Sequence, residues 1–254
     1  MKTYTIILLT FLSFYQLGEV LAQDTLGGII KYTRTIKFTY SPTGNPKWDN
    51  YAKTLPGEGK FDKSLYFTRE ESLYISPLSA LEMKGALTKA MYLANYGKTP
   101  KPKVLELYCD LKKNKKTEQL EFMTRYFITE SDIIQKNWKL INEKKKIHNY
   151  TCMAAKLISE KDTIIAWFTP QIPIAVGPSE YYGLPGLVLA VERNSETILL
   201  ATSIELVLTD KDVLIKPGMG KKVSKKELDK IVAEKVEEFK NTEGNTGKKD
   251  HYKK

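Results

Sequence analysis

The stretch that decides the fold is residues 167–192, W-F-T-P-Q-I-P-I-A-V-G-P-S-E-Y-Y-G-L-P-G-L-V-L-A-V-E. It contains four of the chain's eleven prolines and three of its fifteen glycines, and it ends in an apolar run. Proline fixes φ and glycine permits positive φ, so this density of both residue types specifies a backbone shape. It names no reaction. The sequence therefore indicates a fold and a compartment more clearly than an activity.

A turn followed by a buried strand is predicted at the end of this stretch. Pro185 and Gly186 occupy the central positions of residues 184–187, which is the pattern of a type II turn. Upstream, three prolines interrupt any regular ladder, so residues 169–179 are predicted to cross the surface as a stiff, extended loop. The strand after the turn is apolar on both faces, which predicts cover on both sides; one face carries Leu187, Leu189 and Val191, and the other Val188 and Ala190.

The rest of the chain is predominantly β in pattern. Residues 28–40 alternate apolar with polar side chains, and one polar face is typical of an antiparallel sheet. Nine or ten strands, mostly joined by hairpins, predict a mainly β fold: an antiparallel meander curved into a half-barrel or open barrel. The predicted hairpins pair residues 64–68 with 72–76, 105–111 with 120–128, 150–159 with 163–169 and 187–192 with 197–208, and a further strand is predicted over residues 138–147.

Two segments of the sequence have a helical pattern. Residues 79–96 favour a short inserted helix over an irregular excursion, whereas residues 41–59 are predicted as a loop. Near the C-terminus, Ser224 and Glu227 form a capping box that predicts an amphipathic helix docked on the sheet's edge. The predicted organisation is a signal peptide over residues 1–22, an antiparallel β domain over residues 23–209, and a C-terminal helix with a polar tail over residues 210–254.

The first 22 residues have the features of a secretory signal peptide. A basic start is followed by an apolar run too short to span a bilayer comfortably and by Val20-Leu21-Ala22, which suits cleavage after Ala22. An uncleaved anchor is the alternative. We therefore expect an exported protein that is not integral to the membrane after cleavage.

Several motifs within residues 150–192 resemble the GLPGLI family, a group of secreted envelope proteins of Gram-negative bacteria. They are A-W-F-T-P-Q-I-P, G-P-S-E-Y-Y and G-L-P-G-L-V, and K-P-G-M-G-K-K-V-S-K-K-E-L near the C-terminus is similar to the family's ending. Val188 departs from the isoleucine in the family's name. The resemblance implies a periplasmic or envelope-associated protein with no established activity. Because its members are often encoded beside TonB-dependent receptors, it also implies an outer-membrane receptor or another envelope component as partner.

The chain is basic, with a formal net charge of +10 and a pI near 9.3. Its lysines are scattered over hairpin tips and the tail, and no basic helix carries interleaved aromatic residues. This distribution, together with export, argues against nucleic acid as a partner. Anionic membrane surfaces, acidic glycans or acidic partners fit better, although solubility alone would also explain the charge.

The two cysteines, Cys109 and Cys152, both fall on apolar faces of predicted strands. In an oxidising compartment they could form a disulfide, and a buried pair of free thiols is the alternative. Position 152 agrees with the pattern of the GLPGLI family, whereas Cys109 belongs to no recognised motif.

No catalytic motif is present in the sequence. It has no G-x-S-x-G, H-E-x-x-H or C-x-x-C motif and no glycine-rich phosphate loop, and His148 is the only histidine outside the tail. We therefore predict no catalytic residue, no metal site and no cofactor. Carboxylate pairs for glycoside hydrolysis stay possible in principle, because their pairing is spatial.

Three functions remain as hypotheses. The first is a non-enzymatic envelope binding or carrier protein that holds an apolar or extended ligand on its curved sheet. Aromatic residues on a stiff loop bind at low entropic cost, so the predicted contacts are Trp167, Tyr181, Tyr182 and Leu184; the alternative is that these side chains fill the core. The second is a carboxylate-based hydrolase. The third is an interaction module without a small ligand.

Overall fold

The computed structural model describes residues 27–76, 85–95, 98–158, 162–207 and 214–249. The predicted signal peptide lies outside these residues. So do residues 79–84 of the predicted inserted helix and residues 160–161, which lie in a predicted turn.

The described residues form twelve strands and three helices. The strands are β1 (Gly28–Lys37), β2 (Glu58–Phe67), β3 (Glu71–Ile75), β4 (Lys103–Asp110), β5 (Lys115–Phe122), β6 (Arg125–Asp132), β7 (Lys139–Ile147), β8 (Tyr150–Ile158), β9 (Thr163–Thr169), β10 (Leu187–Arg193), β11 (Glu196–Glu205) and β12 (Lys221–Lys222). The helices are α1 (Pro46–Ala52), α2 (Ala86–Asn95) and α3 (Lys225–Lys249).

All twelve strands belong to one sheet, in the order β12-β6-β5-β4-β3-β2-β1-β11-β10-β9-β8-β7. Neighbouring strands are antiparallel except for β12 and β6. One meander runs from β1 to β6 and another from β7 to β11, and they join where β1 pairs with β11. The prediction of a mainly β, antiparallel meander is confirmed.

The sheet is strongly curved, and one short connection shows why. Strands β6 and β7 are ten steps apart in the sheet order, which would separate them by about 48 Å if the sheet were flat. Only residues 133–138 join them, and a chain of that length spans at most about 25 Å. The sheet must therefore curl until its two ends approach each other. Because β6 and β7 do not pair, the sheet is not closed into a barrel, as predicted.

The region predicted as a hairpin of residues 105–111 and 120–128 contains three strands, β4, β5 and β6, instead of two. The chain turns at Met123 and Thr124, whose φ angles are 48° and 65°, and β6 then pairs back onto β5. Non-glycine residues with positive φ are uncommon, and neither residue belongs to an Asn-Gly type signal. The turn therefore had no recognisable signature in the sequence.

A short helix replaces part of the loop predicted over residues 41–59. Pro46 stands in the first turn of α1, and the Asn45 side chain accepts a hydrogen bond from Lys47 N at 3.0 Å. Both are ordinary signals for the start of a helix, and the surrounding prolines and glycines obscured them. The predicted inserted helix is present as α2, and it packs through Ala90 and Ala94.

The C-terminal helix docks at the β5–β6 end of the sheet, as predicted. Ser224 Oγ accepts a hydrogen bond from Glu227 N at 3.1 Å, so the predicted cap is formed. Val223 and Leu228 are buried in a cluster with side chains of β5 and β6. The helix continues to Lys249, beyond the expected start of a polar tail after Asn241.

The segment between β9 and β10, residues 170–186, fills the concave side of the sheet, and we call it the plug segment. It was predicted to cross the surface over residues 169–179, and this holds for alternate positions only, since Pro170, Pro173 and Ala175 are exposed. Ile172, Ile174 and Val176 are buried in the core cluster that also contains residues of β1, β2, β4, β8 and β10. Pro170 and Pro173 lie on the exposed side, and because they lack a backbone N–H they leave no donor without a partner where the segment joins no ladder.

Backbone hydrogen bonds hold the plug segment against β10. Leu187 N donates to Ile172 O at 3.0 Å, and Val188 N donates to Val176 O at 3.1 Å. The turn into β10 is tighter than the predicted type II turn, since Gly186 N donates to Leu184 O at 2.8 Å, across Pro185 alone. The strand itself is buried on both faces, as predicted.

We expect Gly186→Ala to lower the free energy of unfolding by about 3 kcal/mol. Gly186 has a φ of 156°, and a Cβ built on it would overlap the carbonyl oxygen and carbonyl carbon of Thr169. Urea denaturation followed by circular dichroism measures the change. Gly218→Ala is the matched control, because a Cβ there meets nothing within 4 Å, and it should change stability by less than about 0.5 kcal/mol. Equal losses in the two variants would contradict this account of the plug segment.

Candidate functional site

A cavity of about 340 Å³ lies between the plug segment and strands β3 and β4, and we call it the inner cavity. One wall is formed by inward-facing residues of the two strands, and the other by the plug segment. The connection between β6 and β7 closes part of the remaining side. Its exposed lining residues mark the open side; they include Arg69, Asn114 and Gln135.

Tyr74 contributes an aromatic ring to the wall of this cavity. The side chain lines the cavity and is only 3% exposed, and among the described residues its hydroxyl has no hydrogen-bond partner. Burial raises the pKa of Tyr74 to about 12, while the nearby Arg34 and the hydroxyl of Ser76 act in the opposite direction. Because the hydroxyl oxygen is itself fully buried, Tyr74 offers its ring rather than its hydroxyl to a molecule in the cavity.

The polar residues at the open side can both donate and accept hydrogen bonds. Asn114 and Gln135 each carry an amide with both functions, whereas Arg69 only donates. The residues known to line the cavity include no Asp or Glu. Within the described part of the chain, this site therefore lacks the carboxylate pair that glycoside hydrolysis requires.

The four predicted ligand contacts are all buried, and only one of them lines the inner cavity. Trp167 and Leu184 lie in the core, as does Tyr181, whose hydroxyl accepts a hydrogen bond from Arg193 Nη2 at 3.2 Å. Tyr182 is the exception, because it lines both the inner cavity and a neighbouring cavity of about 400 Å³. Tyr182 therefore stays a predicted ligand contact, whereas the other three side chains pack in the core and do not line the inner cavity.

Trp167 is part of a charged cluster on the β7–β10 side of the sheet. Its Nε1 donates to Glu192 Oε1 at 2.9 Å, and Lys145 Nζ donates to the same oxygen at 2.6 Å. The Lys145 ammonium also lies 4.0 Å from the centre of the indole ring, a cation–π contact. Both the indole N–H and the ring face of Trp167 therefore have partners within the protein.

The inner cavity could not be located from the sequence. Tyr74 and Arg69 are separated from the plug segment by about a hundred residues, and no motif links them. Only the pairing of β3 with β4, Tyr74 opposite Leu107, and the burial of the plug segment bring these residues together.

The structure also shows where the histidine and the two cysteines of the sequence analysis lie. His148 lies in the turn between β7 and β8, and its Nε2 is 2.9 Å from Ala201 O. Cys109 and Cys152 are both buried free thiols, and Cys109 lines the inner cavity. Over the residues that the structure describes, no group of three or more His, Cys, Asp or Glu side chains could hold a metal ion. None of the described helices is both long and apolar enough to cross a membrane.

Residues 106–232 match the family described as "N-glycanase peptide, N-terminal domain". This match covers 127 of the 254 residues. The chain belongs to this family. The matched residues run from β4 into α3, so they include the whole plug segment and one wall of the inner cavity.

Two solved structures of PNGF-II, from two crystal forms, share the fold of this family member. They have TM-scores of 0.54 and 0.53, each with 16% sequence identity, and they cover 82% of this chain. The chain spans about a third of the length of these solved chains, 32% and 33%. At this identity the likeness concerns the fold alone. No protein with a curated description matches this chain.

The resemblance to the GLPGLI family was wrong as an assignment. The matching family is the N-glycanase peptide N-terminal domain, and no match to the GLPGLI family was found. The G-L-P-G-L-V motif, residues 183–188, encodes a tight turn and the start of a buried strand, and so short a motif does not identify a family by itself. The resemblance to the GLPGLI family was also the only basis for expecting a TonB-dependent receptor as partner.

We expect both thiols to react slowly with an aromatic disulfide reagent while the protein is folded. Burial raises the pKa of Cys109 and of Cys152 to about 11, so at pH 8 only about 0.1% of each is the reactive thiolate. The rate should rise about tenfold per pH unit up to about pH 11. After unfolding without reductant, two thiols per chain should react rapidly. Finding none would show that the alternative, a disulfide between Cys109 and Cys152, forms instead.

Proposed function

We propose that this chain is an exported, non-enzymatic binding protein whose inner cavity takes the end of a carbohydrate chain. The observation that carries the proposal is a cavity with the rings of Tyr74 and Tyr182 in its wall and the polar side chains of Arg69, Asn114 and Gln135 at its open side. A ligand rich in hydroxyl groups can pair with the two amides and the guanidinium at the same time.

The size and composition of the cavity support a sugar. Its volume of about 340 Å³ is at the lower end of the range for ligand sites, which suits about one or two sugar rings. The cavity combines the rings of Tyr74 and Tyr182 with the polar side chains of Asn114, Gln135 and Ser179. Aromatic faces cover the C–H surfaces of a sugar while amides and hydroxyls bind its O–H groups.

An apolar ligand on the concave face is less favoured, because the plug segment already occupies that face. Binding is favoured over carboxylate-based hydrolysis, since the known lining of the inner cavity contains no carboxylate. The family supplies independent support, because its description names an N-glycanase, and a glycan is the substrate of such an enzyme. Export rests on the signal-like residues 1–22.

Binding can be tested with a printed panel of mono-, di- and N-linked oligosaccharides, followed by calorimetry on the saccharides that bind. We expect Gln135→Leu to weaken binding about tenfold, because it removes an amide that pairs with the saccharide and keeps a side chain of similar size. Because Gln135 is exposed, the same change should alter the stability of the free protein by less than about 0.5 kcal/mol.

Gln171→Leu is the matched control. Gln171 is exposed and does not line the inner cavity, and its Oε1 accepts a hydrogen bond from Thr151 N at 2.8 Å. This variant should lose stability and bind saccharides like the wild-type protein. If no saccharide binds, or if Gln135→Leu binds as well as the wild type, the proposal fails.

A further inference from the structure

A second apolar site lies between helices α1 and α2, at a distance from the inner cavity. We call it the aromatic groove; it has a volume of about 720 Å³. Trp48 is 50% exposed and Tyr92 is 67% exposed, although both are large aromatic residues. Tyr51 packs edge-to-face on Trp48, with 6.1 Å between the ring centres. The groove is lined by Lys47, Trp48, Tyr51, Thr88, Lys89, Tyr92 and Leu93.

These aromatic side chains point away from the contacts that attach α2 to the sheet. The buried positions of α2 are Ala90 and Ala94, which pack against Phe38 and Phe61 at the ends of β1 and β2. Helix α1 has no buried residue at all. The rings of Trp48 and Tyr92 are at least half exposed, so they form an apolar patch on the surface of the protein.

The charge around the groove is positive. Lys47 and Lys89 flank the rings, and the Lys89 ammonium lies 5.8 Å from the centre of the Tyr51 ring. The described residues that line the groove include no acid, and α2 contains none. Asp49 on α1 accepts hydrogen bonds from Thr43 N and Thr43 Oγ1, both at 2.8 Å, which hold its pKa below the usual value. Three more exposed lysines follow α2 in the chain: Lys98, Lys101 and Lys103.

We propose that the aromatic groove docks this protein on an anionic phospholipid surface. Trp and Tyr side chains partition to the boundary between head groups and acyl chains, where one end of the ring is apolar and the other hydrated. Lysines beside them place their ammonium groups among anionic head groups while their methylene stems stay with the apolar surface. A sugar or peptide fits less well, because the groove offers few hydrogen-bonding groups to read hydroxyls or a peptide backbone.

The position of the groove gives the docked protein an orientation. Phe38 and Phe61 mark one end of β1 and β2, whereas Arg69 and Asn114, at the inner cavity, lie at the opposite end of the strands. Each of these two strands has ten residues, which is about 33 Å of strand. A protein held by its groove would direct the inner cavity away from the lipid. This inference stands whether or not the cavity binds a saccharide.

Co-sedimentation of the full chain with vesicles tests the proposal. We expect tight binding to vesicles of phosphatidylcholine mixed with phosphatidylglycerol and little binding to phosphatidylcholine alone. The double variant Lys47→Ala/Lys89→Ala should bind at least about tenfold more weakly, since each lysine near a charged surface contributes about a fivefold factor. The double variant Trp48→Ala/Tyr92→Ala should lose a similar factor while keeping the charge.

The control variant is Lys144→Ala/Lys146→Ala. Both lysines are exposed on β7, so this variant changes the net charge by the same amount as Lys47→Ala/Lys89→Ala and leaves the groove intact. It should bind within about twofold of the wild type, because a distant surface charge is largely screened at physiological salt. If the control loses as much binding as the groove variants, the protein binds lipid through its net charge and the proposal is wrong.

A fluorescence measurement on the unaltered protein avoids variants that fold poorly. Brominated phosphatidylglycerol should quench tryptophan emission, because Trp48 would enter the lipid interface. Trp167 is buried, and Trp138 is partly buried with its Nε1 donating to Tyr182 O at 3.0 Å, so both should be protected. Most of the quenching should disappear in Trp48→Phe. Unquenched wild-type emission on anionic vesicles that do bind the protein would overturn the proposal.

Discussion

The hydrogen bonds between the plug segment and β10 are the constraint on which the rest of the structure depends. A curved sheet of twelve strands leaves an apolar concave face that water cannot fill without cost. The plug segment fills it, and its backbone groups find partners in β10. The register of β10 against β9 shifts between Val188 and Ala190. Val188 N donates to Val176 O, and Val188 O accepts from the Tyr32 hydroxyl at 2.6 Å, which joins the plug segment and β1 to the same point of β10.

The inner cavity follows from this arrangement. The plug segment packs against β10, and the space left between it and β3–β4 is the cavity. Its polar atoms are consequently held in a surrounding of low polarity, which is why burial raises the pKa of both Tyr74 and Tyr182 to about 12. The aromatic groove has a different origin, because it lies between two helices that attach to the far end of β1 and β2 and is open to solvent. One chain thus carries a polar site inside its sheet and an apolar, basic surface outside it.

The elements that the sequence predicted well are those specified by neighbouring residues. The β10–β11 hairpin turns at Asn194 and Ser195, whose φ angles of 51° and 68° suit a tight turn, and the apolar alternation on either side identified both strands. The cap of α3 needed only Ser224 and a residue three positions later. Where the local signal was missing, as at Met123 and Thr124, the prediction merged two strands into one. The four aromatic and apolar side chains chosen as ligand contacts illustrate the limit, because residue type alone does not separate a core position from a binding position.

The sequence by itself determined the β character of this protein, most of its hairpins, the two-sided burial of β10 and the capped C-terminal helix. These features depend on periodicity and on contacts over a few residues. Only the tertiary structure decided that Ile172, Ile174 and Val176 of the plug segment enter the core, that β1 pairs with β11, and that Tyr74 lines a cavity beside Tyr182. The physical reason is the curvature of the sheet. It is imposed by the short connection of residues 133–138, and it creates an interior whose occupants are far apart in the chain.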